Sequence, residues 1–318
     1  MLHDGQMATT SDRLTRARNL AEAVNGHPEN VADALPQLAE LLTSETDAEV
    51  ITEAVVALGF AGDPRAVQLI LDHVRVDHTD AGVRLAVARA LPCGFERDNP
   101  IQDAVIEALI TLTADENWEV RDWACLGLGL VDADSPAARD ALAARLTDLE
   151  GDIRHEALWA LALTGDSRAL AVLQERLAGG LEGPGLYLPD LRAAVELADP
   201  TLHPMLLQLG QEWGGDDDEF TPLLALATIR SRPEARAQAL IVEGELVARV
   251  NILLSTQGLT AKTVGEYPRT ELNFHSIEDQ TPPILTDPIW RDEHPWDYPL
   301  EQMAQSYVLT YANETEEQ

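Results

Sequence analysis

The pair His155-Glu156, in the stretch IRHEALWALALTGD (153–166), sets an imidazole beside a carboxylate, the ligand types a first-row metal needs. A second stretch, LDHVRVDHTD (71–80), gathers Asp72, His73, Asp77, His78 and Asp80, enough donors for a divalent cation. It lies at a link between two repeats, where solvated polar residues are expected in any case. A third, GGDDDEF (214–220), has consecutive acids, whereas a calcium loop alternates them so that successive oxygens turn inward. Those acids suit a solvated loop before a helix N-terminus. Gly-rich phosphate loops, nucleophile elbows and His-x-x-x-His helices are absent. No catalytic residue, cofactor or metal site is therefore assigned, and the expectation is a protein that is not an enzyme.

Charge narrows the partners. The 318 residues carry 22 Lys+Arg against 55 Asp+Glu, a formal charge of -33, and Lys262 is the one lysine. Such a surface repels nucleic-acid phosphates and anionic membrane and attracts basic proteins. Salt adaptation or a GC-rich genome produces the same balance without a partner. Cys93 and Cys125 lack disulfide or metal spacing and read as reduced, buried thiols. The N-terminus has no apolar signal-like core and no run of about 18 apolar residues occurs. These features predict a cytoplasmic monomer that contacts neither nucleic acid nor membrane.

The elements that must position any site come from internal repetition. Four blocks align: VITEAVVALGFAGDP (50–64), VRLAVARALPCGFERDNP (83–100), VRDWACLGLGLVDADSP (120–136) and IRHEALWALALTGDS (153–167). Val50, Val83, Val120 and Ile153 open them. Ala54, Val87, Ala124 and Ala157 follow four residues on, and Leu58, Leu91, Leu128 and Leu161 eight on. Ala57, Ala90, Gly127 and Ala160 sit at the seventh step, small enough for neighbouring helices to approach closely. Steps of four, seven and eight make one stripe of an α-helix. Asp63-Pro64, Asn99-Pro100, Ser135-Pro136, Asp166-Ser167 and Asp199-Pro200 then punctuate the chain about every 31 to 36 residues. A polar N-cap before proline starts a helix, so each unit is a helical hairpin. A lone hairpin cannot bury its apolar face and must stack.

These helices resemble the HEAT-repeat family, in the short form VR-x-x-A-x-x-ALG-x-x-GD also seen in phycobilin lyases. The resemblance covers about residues 47 to 210, with a degenerate fifth unit opening at Leu191-Arg192. It implies an all-α solenoid of stacked hairpins. It also implies a structural ladder in which the recurrent Arg84, Arg121, Arg154 and Arg192 pair with preceding acids, here Asp47, Asp80 and Asp152. Among HEAT-like enzymes, deoxyhypusine hydroxylases build a di-iron centre from several His-Glu pairs. The matching positions here are Thr52-Glu53, Leu85-Ala86 and Asp122-Trp123, so His155-Glu156 stands alone and reads as the solvent side of a helix. HEAT-like DNA glycosylases need aromatics over a basic concave surface. Trp118, Trp123 and Trp159 supply aromatics and the net charge opposes the rest, with a local row of Arg84, Arg121 and Arg154 left open.

The remaining chain divides by composition. Residues 1–46 read as a helical cap, with Ser11 as N-cap and Pro36 interrupting its second helix; 47–212 hold the repeats; 213–259 continue the solenoid. Residues 260–318 read as irregular, with six prolines between 268 and 299, and Trp290, Trp296 and Tyr298 pinning the segment across the solenoid or forming a docking epitope. A final short helix is expected over 300–312.

The function expected is an interaction scaffold offering an acidic curved surface to a basic protein. Its candidate contact residues are Trp118, Glu119, Asp122, Glu156 and Trp159, acids flanking exposed tryptophan. One specific form is an inhibitor or immunity protein that neutralises a basic enzyme such as a nuclease. The alternative is a lyase-like enzyme accessory, an analogy at the level of fold.

Overall fold

The computed structural model describes residues 9–43, 45–96, 99–182, 186–212, 219–254, 259–265, 268, 270–276, 285–288, 303–305 and 307–308. The chain divides into two compact units, Met1–Ala169 and Leu170–Gln318.

Unit 1 is an α-solenoid of antiparallel hairpins. Its helices are α1 (Thr10–Val24), α2 (Val31–Thr43), α3 (Ala48–Ala61), α4 (Pro64–His73), α5 (Ala81–Ala90), α6 (Gln102–Leu112), α7 (Trp118–Leu130), α8 (Pro136–Arg145) and α9 (Gly151–Leu163). The repeating stripe is the core: Val50, Ala54, Ala57, Val83, Val87, Leu91, Val120, Ala124, Ile153 and Leu161 are fully buried. Asp63 and Ser135 cap α4 and α8 ahead of their prolines. Two details differ at the N-terminus. Thr9, in a capping box with Asp12, starts α1 in place of Ser11, since only Thr9 has a capping partner three residues on. Helix α2 runs through Pro36, its sixth residue, which removes one interior backbone donor without ending the helix.

The layers are unequal. Helices α1, α3, α5, α7 and α9 pack broadly against one another, while α2, α4, α6 and α8 touch their layer neighbours sparsely. Small residues permit this: a Cβ on Gly59 would lie 3.1 Å from Ala90 Cβ, and one on Gly129 only 2.4 Å from the Trp159 ring. Interaxial distance follows side-chain size, so the stack bends toward the closely spaced layer. On this packing argument the odd-numbered helices α1 to α9, the closely packed layer, are the concave side of unit 1.

Successive hairpins are clamped by buried ion pairs, though not those expected from the family pattern. Arg84 grips Asp115 of the next repeat's loop through two bonds of 2.6 and 2.9 Å, with the pair 8% and 7% exposed. Arg121 grips Asp148 likewise, at 2.9 and 3.0 Å. Each also donates to carbonyls of its own preceding loop, His78 and Thr79 for Arg84, Asp115 and Glu116 for Arg121. Asp47 and Asp80 are instead N-caps, their oxygens taken by the amides of Glu49, Val50, Gly82 and Val83. Asp152 lies exposed in the first turn of α9. Helical side chains lean toward the N-terminus, which carries each arginine into the loop region where the following repeat presents its acid. Arg154 keeps the carbonyl half of the pattern, donating to Asp148 and Leu149. Arg192 is exposed and makes no ion pair among the described residues.

In unit 2, reached through α10 (Ser167–Glu182), helices α11 (Leu188–Leu197), α12 (His203–Glu212) and α13 (Phe220–Arg230) pack together. Asp190, fully buried, accepts from Arg176 and from the Tyr187 amide. Within the segment expected to be irregular, the described residues include an antiparallel sheet, β1 (Leu259–Val264), β2 (Glu271–Ser276) and β3 (Leu285–Pro288), in the order β1-β2-β3. Helix α14 (Ala235–Leu254) packs against β1. Its Leu246, Val250 and Leu254 share a core with Ala261, Leu272 and Phe274. Asn251 pins the helix to β1 by bonding both the amide and the carbonyl of Ala261, at 2.7 and 2.9 Å. Among the described residues, the prolines of this segment are Pro268, in a turn, and Pro288, at a strand end, where they break no ladder. Trp290, Trp296, Tyr298 and the acids 216–218 lie outside the described residues, and of the helix expected over 300–312 residues 303–305 and 307–308 are helical.

Replacing Asp115 by Ala leaves Arg84 buried without its carboxylate and is expected to cost about 3–5 kcal/mol. Asp80→Ala loses only a cap, about 1 kcal/mol. Urea denaturation of both variants checks this order.

Candidate functional site

The outward face of the concave layer is read directly from the repeat register. Positions two, three, six and ten after each opening residue are Thr52, Glu53, Val56 and Phe60; Leu85, Ala86, Arg89 and Cys93; Asp122, Trp123, Leu126 and Leu130; His155, Glu156, Trp159 and Leu163. A solvated helix face should be polar, yet eight of these are Val, Phe, Leu or Trp. Phe60 is 50% and Leu130 57% exposed.

Two features adjoin on this face. Between α3, α5 and α7 runs an apolar groove of about 490 Å³, walled by Val56, Phe60, Leu85, Ala86 and Trp123, with Arg89 laid over Trp123 at 4.5 Å from the ring centroid. Cys93 lines the same groove and is exposed, correcting its reading as a buried thiol. Cys125 is buried, which pushes its thiol up.

Beside the groove, α7 and α9 present carboxylates. Trp118 and Glu119 are exposed in the first turn of α7; Asp122, Glu156 and Trp159 are half-buried, and Trp159 packs over Gly129 of α7. Asp122 Oδ1 is buried without a hydrogen-bond partner. Burial, and then the charge of Asp152, lift the Asp122 carboxyl to about 6. The nearby cations are engaged elsewhere: Arg121 and Arg145 both bond Asp148. The Arg121 bonds hold Asp148 below the usual carboxylate range despite its burial. The structure thus gathers Asp122, Glu156 and Trp159 on one face with Glu119 and Trp118 a turn earlier. Phe60, Leu85 and Arg89 also belong to this face; in the sequence the signal for Phe60 and Leu85 is an apolar residue off the core stripe, and Arg89 carries no such signal.

No group of three or more His, Cys, Asp or Glu is arranged to hold a metal among the described residues. His155 and Glu156 are half-buried on α9 rather than fully solvated. In the 71–80 stretch, Asp77 pairs with Arg75 and His78 accepts from the Asp80 amide at 3.0 Å, so these side chains serve the turn. No helix of the described residues is long and apolar enough to cross a membrane.

Because the folded chain holds the Asp122 proton more tightly than the unfolded chain, ionising Asp122 opposes folding increasingly from about pH 4 to above pH 6. Asp122→Asn removes that penalty. It is expected to raise stability by about 1 kcal/mol at pH 7.5, after discounting for partial exposure, with the gain vanishing near pH 3.5. Chemical denaturation at the two pH values measures it.

Comparison with known proteins agrees with this architecture. Protein YibA of Escherichia coli strain K12 is 35% identical over 103 residues, which is 32% of this chain and 35% of YibA. YibA of Escherichia coli O157:H7 matches to the same extent. The chain thus spans about a third of the length of these curated relatives. The crystal structure of Escherichia coli YibA superposes with a TM-score of 0.52 at 22% identity, over 71% of this chain and 83% of that one, a likeness of fold. A family profile described as HEAT repeats matches residues 6–92 and 103–181, more than half of the sequence. The chain belongs to the HEAT-repeat family.

Proposed function

We propose that the protein is a non-enzymatic scaffold whose concave layer in unit 1 binds a basic protein partner. The observation carrying this reading is Asp122, a carboxylate with a buried, partnerless oxygen beside the like charge of Asp152. Folding alone gives such an arrangement no stabilisation, whereas a guanidinium or ammonium from a partner would supply both the missing donor and the missing charge. The overall charge of -33 supports the same reading, since it would steer a basic protein toward the chain over long range. A specific form is an inhibitor or immunity protein that occupies the polyanion-binding surface of a basic enzyme such as a nuclease. Nucleic acid and anionic membrane are disfavoured by the same field.

The test is recovery of partners from native lysate on the tagged chain, at about 50 mM and about 500 mM salt, with identification by mass spectrometry. Glu119→Lys with Asp122→Lys serves as the charge-reversed comparison, its folding checked by circular dichroism. A basic protein is expected that is lost at high salt and on charge reversal. A partner retained by the reversed chain at low salt would remove this surface from the function.

A further inference from the structure

We infer that the groove between α3 and α5 receives a bulky apolar side chain from a partner segment whose arginine or lysine, about 12 to 18 Å further along, pairs with Asp122 and Asp152. The distance is one and a half to two helix spacings of 8–10 Å, or about two to three turns of a partner helix. This rests on the protein-binding reading above and specifies its chemistry.

Three observations argue for that occupant. The groove walls are aliphatic and aromatic, and Phe60 at its edge stays 50% exposed, so apolar surface remains in water until something covers it. At the neighbouring α7/α9 edge, Asp122 offers an unsatisfied buried oxygen and Asp152 is exposed. Arg89, which has no carboxylate partner among the described residues, lies over Trp123 on the groove side. Its charge disfavours a basic residue in the groove and thereby sets the order, with the apolar anchor over α3/α5 and the cations over α7/α9. A second copy of this chain is a poor occupant, since each copy carries a formal charge of -33.

The probe is a fluorescently labelled synthetic helix-forming peptide with two leucines one turn apart and two arginines two to three turns further on. Its comparator has the same composition, with the leucines moved to opposite faces. Binding to the full chain is read by fluorescence anisotropy. The permuted peptide is expected to bind at least about tenfold more weakly. Leu85→Asp should weaken the first peptide by a similar factor, and Phe60→Ser, at a position exposed enough to leave the fold intact, by about threefold or more. Equal binding of the two peptides, indifference to Leu85→Asp and Phe60→Ser together, or no binding at all would overturn the groove assignment. If binding survives those changes yet is still lost on Glu119→Lys with Asp122→Lys, the groove falls and the acidic surface stands. If it survives the charge reversal too, both fall.

Discussion

The buried pairing of an arginine with an aspartate in the next repeat's loop is the interaction on which unit 1 depends. Arg84–Asp115 and Arg121–Asp148 each use two parallel bonds, and each acid also accepts a backbone amide, from Asn117 and Glu150. Desolvation penalises Asp115, but the Arg84 bonds and the Asn117 amide outweigh it and hold the carboxyl below its ordinary range. The carboxylate form is therefore favoured by folding, and its contribution fades only as pH falls through those lowered values. Where the arginine position is Ile51, the matching acid position is His78, which accepts the Asp80 amide instead. The exchange of both partners together is what a pairwise constraint requires, since a lone buried charge is costly.

Clamping the hairpins at their loops has two consequences for the concave layer. The small residues Ala57, Ala90, Gly127 and Ala160 let the first helices approach, which places their outward faces on the inside of the curve. The same acid engages both Arg121 and Arg145, so Asp122 keeps a partnerless buried oxygen on the concave side beside the charge of Asp152. Structural economy in the loops and chemical availability on the face are thus one arrangement of charges.

The hairpins were legible in the sequence because stacking imposes a strict period on Val50, Val83, Val120 and Ile153, and because Asp63-Pro64 and Ser135-Pro136 are local signals. The direction of the ladder was not. An acid before a helix reads equally as a cap or as an ion-pair partner, and only the lean of the arginine side chain decides between Asp80 and Asp115. The sheet of unit 2 was hidden by a proline-rich composition, of which Pro268 falls in a turn and Pro288 at a strand end, while the alternation placing Leu272 and Phe274 in the core spans too few residues to stand out. Of the contact residues expected, Asp122, Glu156 and Trp159 share the concave face. The groove beside them was legible only once that face was known, because its apolar residues look like core until the register shows them pointing outward.

The most direct test is a carboxyl-detected NMR titration of the free chain that follows Asp115, Asp122 and Asp148 in one experiment. Asp122 is expected to titrate near 6 while Asp115 and Asp148 stay ionised to below the usual carboxylate range. Three aspartates titrating together at ordinary values would contradict it, because the loop clamps and the uncompensated concave carboxylate would then both be absent in solution.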